Sequence, residues 1–119
     1  MRIEIRGRNV EMTDDLREAV RKRFQRLGKQ VSELATLEVV LSEERNPSIS
    51  DNQIAEATFY LKGVTLRARE CSPEMTHSIH ELAEDMSRQV KKHRELRRKR
   101  RRTRRLVGEM RGRPAEARP

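Results

Sequence analysis

The regular spacing of apolar residues in this sequence stops near Val90, and this limits where a folded core can form. Residues 88–105 hold twelve Lys or Arg and one acidic residue, Glu95. By contrast, residues 1–87 hold 13 basic and 16 acidic residues and have a net charge of −3. Because about 90 residues can bury only a small core, we expect a single two-layer domain in the first part of the chain.

Two kinds of periodicity predict the element order β-α-β-β-β-α. Apolar and polar residues alternate in four short segments, and apolar residues recur at helical spacing in two longer ones. The predicted strands cover residues 2–6, 37–42, 55–61 and 64–69, and the predicted helices cover residues 14–28 and a segment that opens at Ser72 and Pro73. Since each strand has one apolar face and both helices are amphipathic, the fold class is α+β, a four-stranded sheet with both helices packed on one face.

The last helix has a single apolar stripe, formed by Met75, Ile79, Leu82, Met86 and Val90. The stripe ends where the arginines begin, so we expect the helix to continue as a solvated basic extension, to fray, or to become ordered only on a partner. These features predict an α+β domain over residues 1–95 and an Arg-rich tail, flexible or helical, over residues 96–119.

The block of positive charge indicates a polyanionic partner, because Lys and Arg that neutralise phosphates release condensed counterions. Only 3% of the residues are aromatic, so we expect contacts with the backbone and shape of a nucleic acid rather than stacking on unpaired bases. Helical geometry places further cations on the solvent sides of the helices: Lys22, Arg26 and Lys29 on the first, and Arg88, Lys91 and Lys92 on the second. Arg23 borders the core, and its charged head can join the cations of the first helix while its stem covers the core. The alternative for these isolated cations is that they are only solvated surface residues.

Other classes of function have little support in the sequence. The chain has no Gly-rich phosphate loop, nucleophile elbow or spaced set of His and carboxylates, so we expect no enzymatic activity, no cofactor and no small-molecule substrate. Cys71, His77 and His80 match no standard zinc spacing, and no metal site is expected. Without a long apolar run or a signal peptide, the sequence predicts a cytoplasmic protein that does not contact membranes.

Several segments, taken in order, resemble the ribosome hibernation promoting factor family, also called ribosome-associated translation inhibitors. The resemblance covers roughly residues 1–95. The matching residues are Ile3 and Ile5 before Gly7, Arg8, Asn9 and Val10, then Met12, Thr13, Leu16 and Arg17, the strand with Val39, Val40 and Leu41, and Glu74, Met75, Ile79, Leu82, Arg88, Gln89, Val90, Lys92 and His93.

This resemblance implies a translation inhibitor of stressed or stationary cells. Such a factor binds both isolated small subunits and intact ribosomes. It binds in the cleft between the head and the body of the small ribosomal subunit. It contacts 16S rRNA there and blocks the mRNA and tRNA channel by occupancy, without chemistry. Off the ribosome we expect a monomer. Long members continue into a second domain that pairs two ribosomes, so a chain that ended here would act on single ribosomes.

The residues expected to contact rRNA combine the positions that the resemblance implies with the cations of the helix faces and the tail. The resemblance implies Arg23, Arg26, Lys29, Arg88 and Lys92. The full expected set is Lys22, Arg23, Arg26, Lys29, Arg88, Lys91, Lys92, Arg97, Arg98, Arg100 and Arg101. The main alternative is a generic protein that binds structured RNA or a nucleic-acid duplex, and a third is a structural adaptor whose binding is insensitive to salt.

Overall fold

The predicted α+β fold is confirmed by the computed structural model, which describes residues 1–111. The elements are β1 (Arg2–Arg8), α1 (Asp14–Gly28), β2 (Thr36–Glu43), β3 (Gln53–Leu61), β4 (Val64–Ser72) and α2 (Met75–Arg111). This is the predicted order. All four strands are longer than predicted, because backbone pairing in the sheet continues past the residues in which apolar and polar side chains alternate.

The four strands form one sheet in the order β1-β2-β3-β4. Strand β1 lies parallel to β2, and the other two pairs are antiparallel. Parallel neighbours cannot be joined by a tight turn, so α1 provides the crossover between β1 and β2. A β-hairpin joins β3 to β4 through Lys62 and Gly63, and Gly63 has a φ of 80°, a conformation that favours glycine.

The core lies between one face of the sheet and the apolar faces of the helices. Three cross-strand pairs on this face are buried: Leu37 with Phe59, Val39 with Ala57 and Leu41 with Ala55. The helices contribute further side chains that are almost fully buried: Val20, Phe24 and Leu27 from α1, and Ile79, Leu82 and Met86 from α2. Because side chains alternate along a strand, the residues between the buried ones point to the opposite face of the sheet.

Helix α2 begins at Met75 rather than at Ser72 and Pro73, because Ser72 still belongs to β4 and pairs with Gln53. The hydroxyl of Ser78 donates a hydrogen bond to the carbonyl oxygen of Gln53 at 2.7 Å. It also lies 2.7 Å from the hydroxyl of Ser72. Both serines are buried and need such partners, and the bonds attach the start of α2 to the strands β3 and β4.

Gly7 is required by the close approach of the segment that follows β1. A Cβ atom at this position would lie 2.6 Å from Cγ of Met12 and 2.7 Å from the carbonyl oxygen of Val10. We therefore expect Gly7→Ala to displace this segment and to lower the free energy of unfolding by about 1–3 kcal/mol, measured by urea denaturation. The matched control is Gly108→Ala, which has open space around the new methyl group. Equal losses from the two substitutions would contradict this explanation.

The chain divides into two compact units, residues 1–88 and the residues from Gln89 onward. The first unit contains the sheet, α1 and the beginning of α2. In the second unit, every residue of the helix over 94–108 is exposed. Residues 112–119 of the predicted tail lie outside the described residues. The predicted domain boundary after residue 95 stays a prediction.

Neither helix contains, within residues 1–111, a stretch that is both long and apolar enough to cross a membrane.

Candidate nucleic-acid interface

A groove of ≈ 580 Å³ lies between α1 and the first part of α2. Three cations of α1 line it, Lys22, Arg23 and Arg26, and Glu84 is the one carboxylate among its lining residues. The other lining residues are Ala19 of α1 and Thr76, Ile79, His80, Ala83 and Ser87 of α2. With three cations and one carboxylate, the groove has a formal charge of +2 when His80 is neutral.

The position of the three cations follows from the way α1 is fixed to the sheet. Val20, Phe24 and Leu27 are buried and hold one side of the helix against the core. Lys22 and Arg26 are four residues apart, so they lie on the same side of α1, next to the buried side. The start of the helix is fixed by its N-cap, because the Thr13 hydroxyl accepts a hydrogen bond from the Leu16 backbone amide at 3.2 Å.

The two faces of the domain differ in how their arginines are neutralised. On the outer face of the sheet, Arg69 lies 3.3 Å from Glu56, and Arg6 forms an ion pair with Glu38. None of the ion pairs described within residues 1–111 includes a cation of the groove. The groove cations are therefore available for the phosphates of a partner, whereas these arginines of the outer face are already paired with carboxylates.

The structure brings together three of the predicted site residues, Lys22, Arg23 and Arg26, in one groove. Lys29 is the C-cap residue of α1 and Arg88 is exposed on α2, and neither lines the groove. The remaining predicted residues are exposed on the second unit: Lys91, Lys92, Arg97, Arg98, Arg100 and Arg101. Whether these residues contact RNA stays a prediction.

The side of the groove that α2 contributes was not predicted from the sequence. Thr76, His80 and Ser87 line it with polar side chains, and none of them is a Lys or Arg, the residue types from which the cationic positions were predicted. Their separations of four and seven residues place them on one side of α2. That spacing, next to the apolar stripe, is the signal that could have identified them.

His93 does not add to the positive charge of the second unit at neutral pH. Its Nε2 atom is buried and has no hydrogen-bond partner among the described residues. Burial lowers the pKa of His93 below the ordinary value of 6.5, and the positive charges of Arg97 and Arg100 lower it further. The imidazole is therefore neutral at pH 7, and the charge of this segment comes from Lys and Arg.

The side chains that were considered for a metal site do not form one. Cys71 is exposed, and His77 lies 3.9 Å from Glu81 on the surface of α2. Among residues 1–108, whose side chains the structure describes, no three side chains of His, Cys, Asp or Glu come close enough together to hold a metal ion.

Comparison with known proteins shows what this chain is similar to. Residues 3–98 match the family described as Sigma 54 modulation protein / S30EA ribosomal protein. The chain is 33% identical over 101 residues to the ribosome hibernation promoting factor of Acinetobacter guillouiae. This alignment covers 81% of this chain and 89% of that protein. It is 32% identical over 95 residues to the ribosome hibernation promoting factor of Escherichia coli K12. That alignment covers 80% of this chain and 95% of the relative.

Two solved structures have a similar fold. The N-terminal domain of Protein Y from Thermus thermophilus superposes with a TM-score of 0.66 at 29% identity, covering 78% of this chain and 99% of that one. A ribosomal subunit interface protein from Coxiella burnetii superposes with a TM-score of 0.68 over 80% of this chain and 99% of that one. At 21% identity, the second comparison supports the fold alone.

Proposed function

Because the chain belongs to the Sigma 54 modulation protein / S30EA ribosomal protein family, we propose that it is a ribosome hibernation factor that binds the small ribosomal subunit and blocks translation by occupancy. Membership of the family confirms the resemblance found in the sequence. The proposed partners are the small subunit, alone and in the intact ribosome, and its 16S rRNA. The proposed protein is cytoplasmic, is a monomer off the ribosome and acts in stressed or stationary cells.

The observation that carries this proposal is the unpaired positive charge of the groove. Lys22, Arg23 and Arg26 project from a helix held by the core, and none of them takes part in an ion pair described within residues 1–111. Arginine binds phosphate with two parallel hydrogen bonds, whereas lysine acts as a point charge. A rigid groove with both types can fix the orientation of the domain on folded RNA, because phosphate contacts set register and orientation.

The inhibition that we propose needs no covalent step. A domain bound where mRNA and tRNA pass excludes both by its volume, and its affinity depends on how many phosphates it neutralises. The polar side chains of α2 in the groove, Thr76, His80 and Ser87, can add hydrogen bonds to phosphate or ribose oxygens. We include them with the eleven predicted cations as candidate contacts.

Co-sedimentation with small subunits and intact ribosomes across a salt series tests the proposal. We expect saturable binding near one protein per subunit and loss of binding at high salt. Excess mRNA and initiator tRNA should compete with the protein, because the three ligands share one channel. Binding that does not saturate, or that leaves mRNA and tRNA binding unchanged, would exclude inhibition by occupancy.

One observation favours a second candidate, a protein that binds structured RNA or duplexes generally. Residues 97–105 hold eight Lys or Arg, and most of this segment lies beyond residues 3–98, the part that matches the family. Such a protein should bind naked duplex RNA as tightly as assembled subunits. The same co-sedimentation series, repeated with naked duplex RNA in place of small subunits, distinguishes the two functions. Equal affinity for the duplex and the subunits supports the general RNA-binding protein, and much higher affinity for the subunits supports the hibernation factor.

A further inference from the structure

The segment over residues 97–105 is a helix whose charge is not confined to one side. Eight of its nine residues are Lys or Arg, and Thr103 is the exception. All nine side chains are exposed, and none takes part in an ion pair described within residues 1–111. We call this segment the basic arm.

At about 100° per residue, the eight cations of the basic arm are spread over about 260° of the helix circumference. Divided at the middle of this arc, they form two sets of four whose mean directions are about 140° apart. One set is Arg97, Arg100, Arg101 and Arg104, and the other is Arg98, Lys99, Arg102 and Arg105.

The narrow side without cations carries apolar groups. Thr103 lies in this gap of about 100°. Leu96 and Val107, on other turns of the helix, lie within about 40° of Thr103 around the helix axis. These two side chains are 43% and 40% exposed. A gap of about 100° is only at the lower limit of the apolar stripe of an amphipathic surface helix.

A flat anionic surface would neutralise only the cations that face it. The other set of four would remain in solvent, with like charges four residues apart, such as Arg97 and Arg101, and such pairs destabilise a helix. A cleft with phosphates on both sides neutralises both sets at once and releases more counterions. The charge distribution therefore matches two walls of phosphate better than one.

We infer that the basic arm binds between two phosphate-bearing walls of folded RNA, either the rims of one groove or two adjacent helices. An α-helix with its side chains is about 10–12 Å across, so the walls must be separated by at least that distance. The major groove of regular A-form RNA is too narrow and deep to be read by side chains, which favours a junction or a widened groove. The choice of RNA rests on the proposed ribosomal function, whereas the two-walled geometry rests on the arm alone.

The test compares two variants of the full-length protein that remove the same charge from the two halves of the arc of cations. In the first, Arg97, Arg100, Arg101 and Arg104 are all replaced by Gln, and in the second, Arg98, Lys99, Arg102 and Arg105 are replaced by Gln. Glutamine has nearly the helix propensity of Arg and Lys, so the arm should stay helical, which circular dichroism checks. Affinities for small subunits and for naked 16S rRNA are measured across a salt series.

Both variants should lose about three units from the slope of log affinity against log salt, because each loses four phosphate contacts worth about 0.7–0.9 units apiece. If one variant loses this slope and the other matches the unchanged protein, the arm lies on a single wall and the inference is wrong. Unchanged slopes in both variants would also overturn it. An effect on subunits with none on naked rRNA would indicate an acidic ribosomal protein as the partner and would overturn RNA as the partner.

Failure of the proposed function gives a different result. In that case the unchanged protein shows no saturable binding to small subunits and no competition with mRNA or tRNA. The slopes on naked rRNA then still decide the two-walled geometry, since equal losses support it and unequal losses exclude it. Absence of any binding to RNA would exclude both proposals.

Discussion

Replacing Arg23 and Arg26 together by Glu should lower the affinity for the small ribosomal subunit by at least about 100-fold. Both side chains line the groove between α1 and α2, and neither has an ionic partner among residues 1–111. A hydrogen bond to a charged group contributes about 1.5–3 kcal/mol, so losing two such contacts costs about 3–6 kcal/mol before any repulsion is counted. Since 1.4 kcal/mol corresponds to a factor of ten, a loss of this size is easily measured.

The control for this prediction changes the net charge equally at two other places. Arg8 and Lys62 are exposed, lie outside the groove and take part in none of the ion pairs described within residues 1–111. Replacing both by Glu should change the affinity by less than about tenfold at physiological salt, because only long-range attraction is lost. If this control weakens binding as much as the groove variant, net charge rather than the groove determines affinity.

Replacing Phe59 by Ala should lower the free energy of unfolding by about 3–5 kcal/mol. Phe59 is fully buried and pairs across the sheet with Leu37 on one side and Leu66 on the other. The loss is a large fraction of the stability of about 5–15 kcal/mol that is usual for a small domain. Much of the variant should therefore unfold at low urea concentration, which a denaturation curve followed by circular dichroism measures.

The neighbouring residue provides the control. Tyr60 lies on the opposite face of the same strand and is 45% exposed. Its replacement by Ala should cost less than about 1 kcal/mol, because much of the residue is already exposed to solvent in the folded state. Equal losses at the two positions would contradict the assignment of the buried face of β3.

The strands and helices could be predicted because each is specified by residues that are close in the sequence. Alternation in β3 and helical spacing in α1 identify the element and its buried side together, and the core confirms both for Phe59 and Phe24. Element ends were less well predicted. The end of β4 depends on pairing of Ser72 with Gln53, and an alternation pattern does not report which strand lies next to it.

The candidate site was predicted in part. Lys22, Arg23 and Arg26 were recognised as solvent-facing cations of one helix, and the structure places all three in the groove. Their partners across the groove were not recognised, because Thr76 lies 50 or more residues away along the chain and has no charge. Conversely, Lys29 was grouped with the other three cations from its helical angle, yet it caps the end of α1 and does not line the groove.

The sequence by itself determined which segments form helices and strands, which side of each is buried, and where the positive charge is concentrated. These properties depend on side-chain periodicity, which local geometry converts directly into faces. Only the tertiary structure decided that β1 pairs in parallel with β2, that Arg6 and Arg69 of the outer sheet face are paired with glutamates, and that a groove opens between α1 and α2. These features depend on contacts between residues far apart in the chain, and such contacts are selected by packing of the whole core rather than by any local pattern.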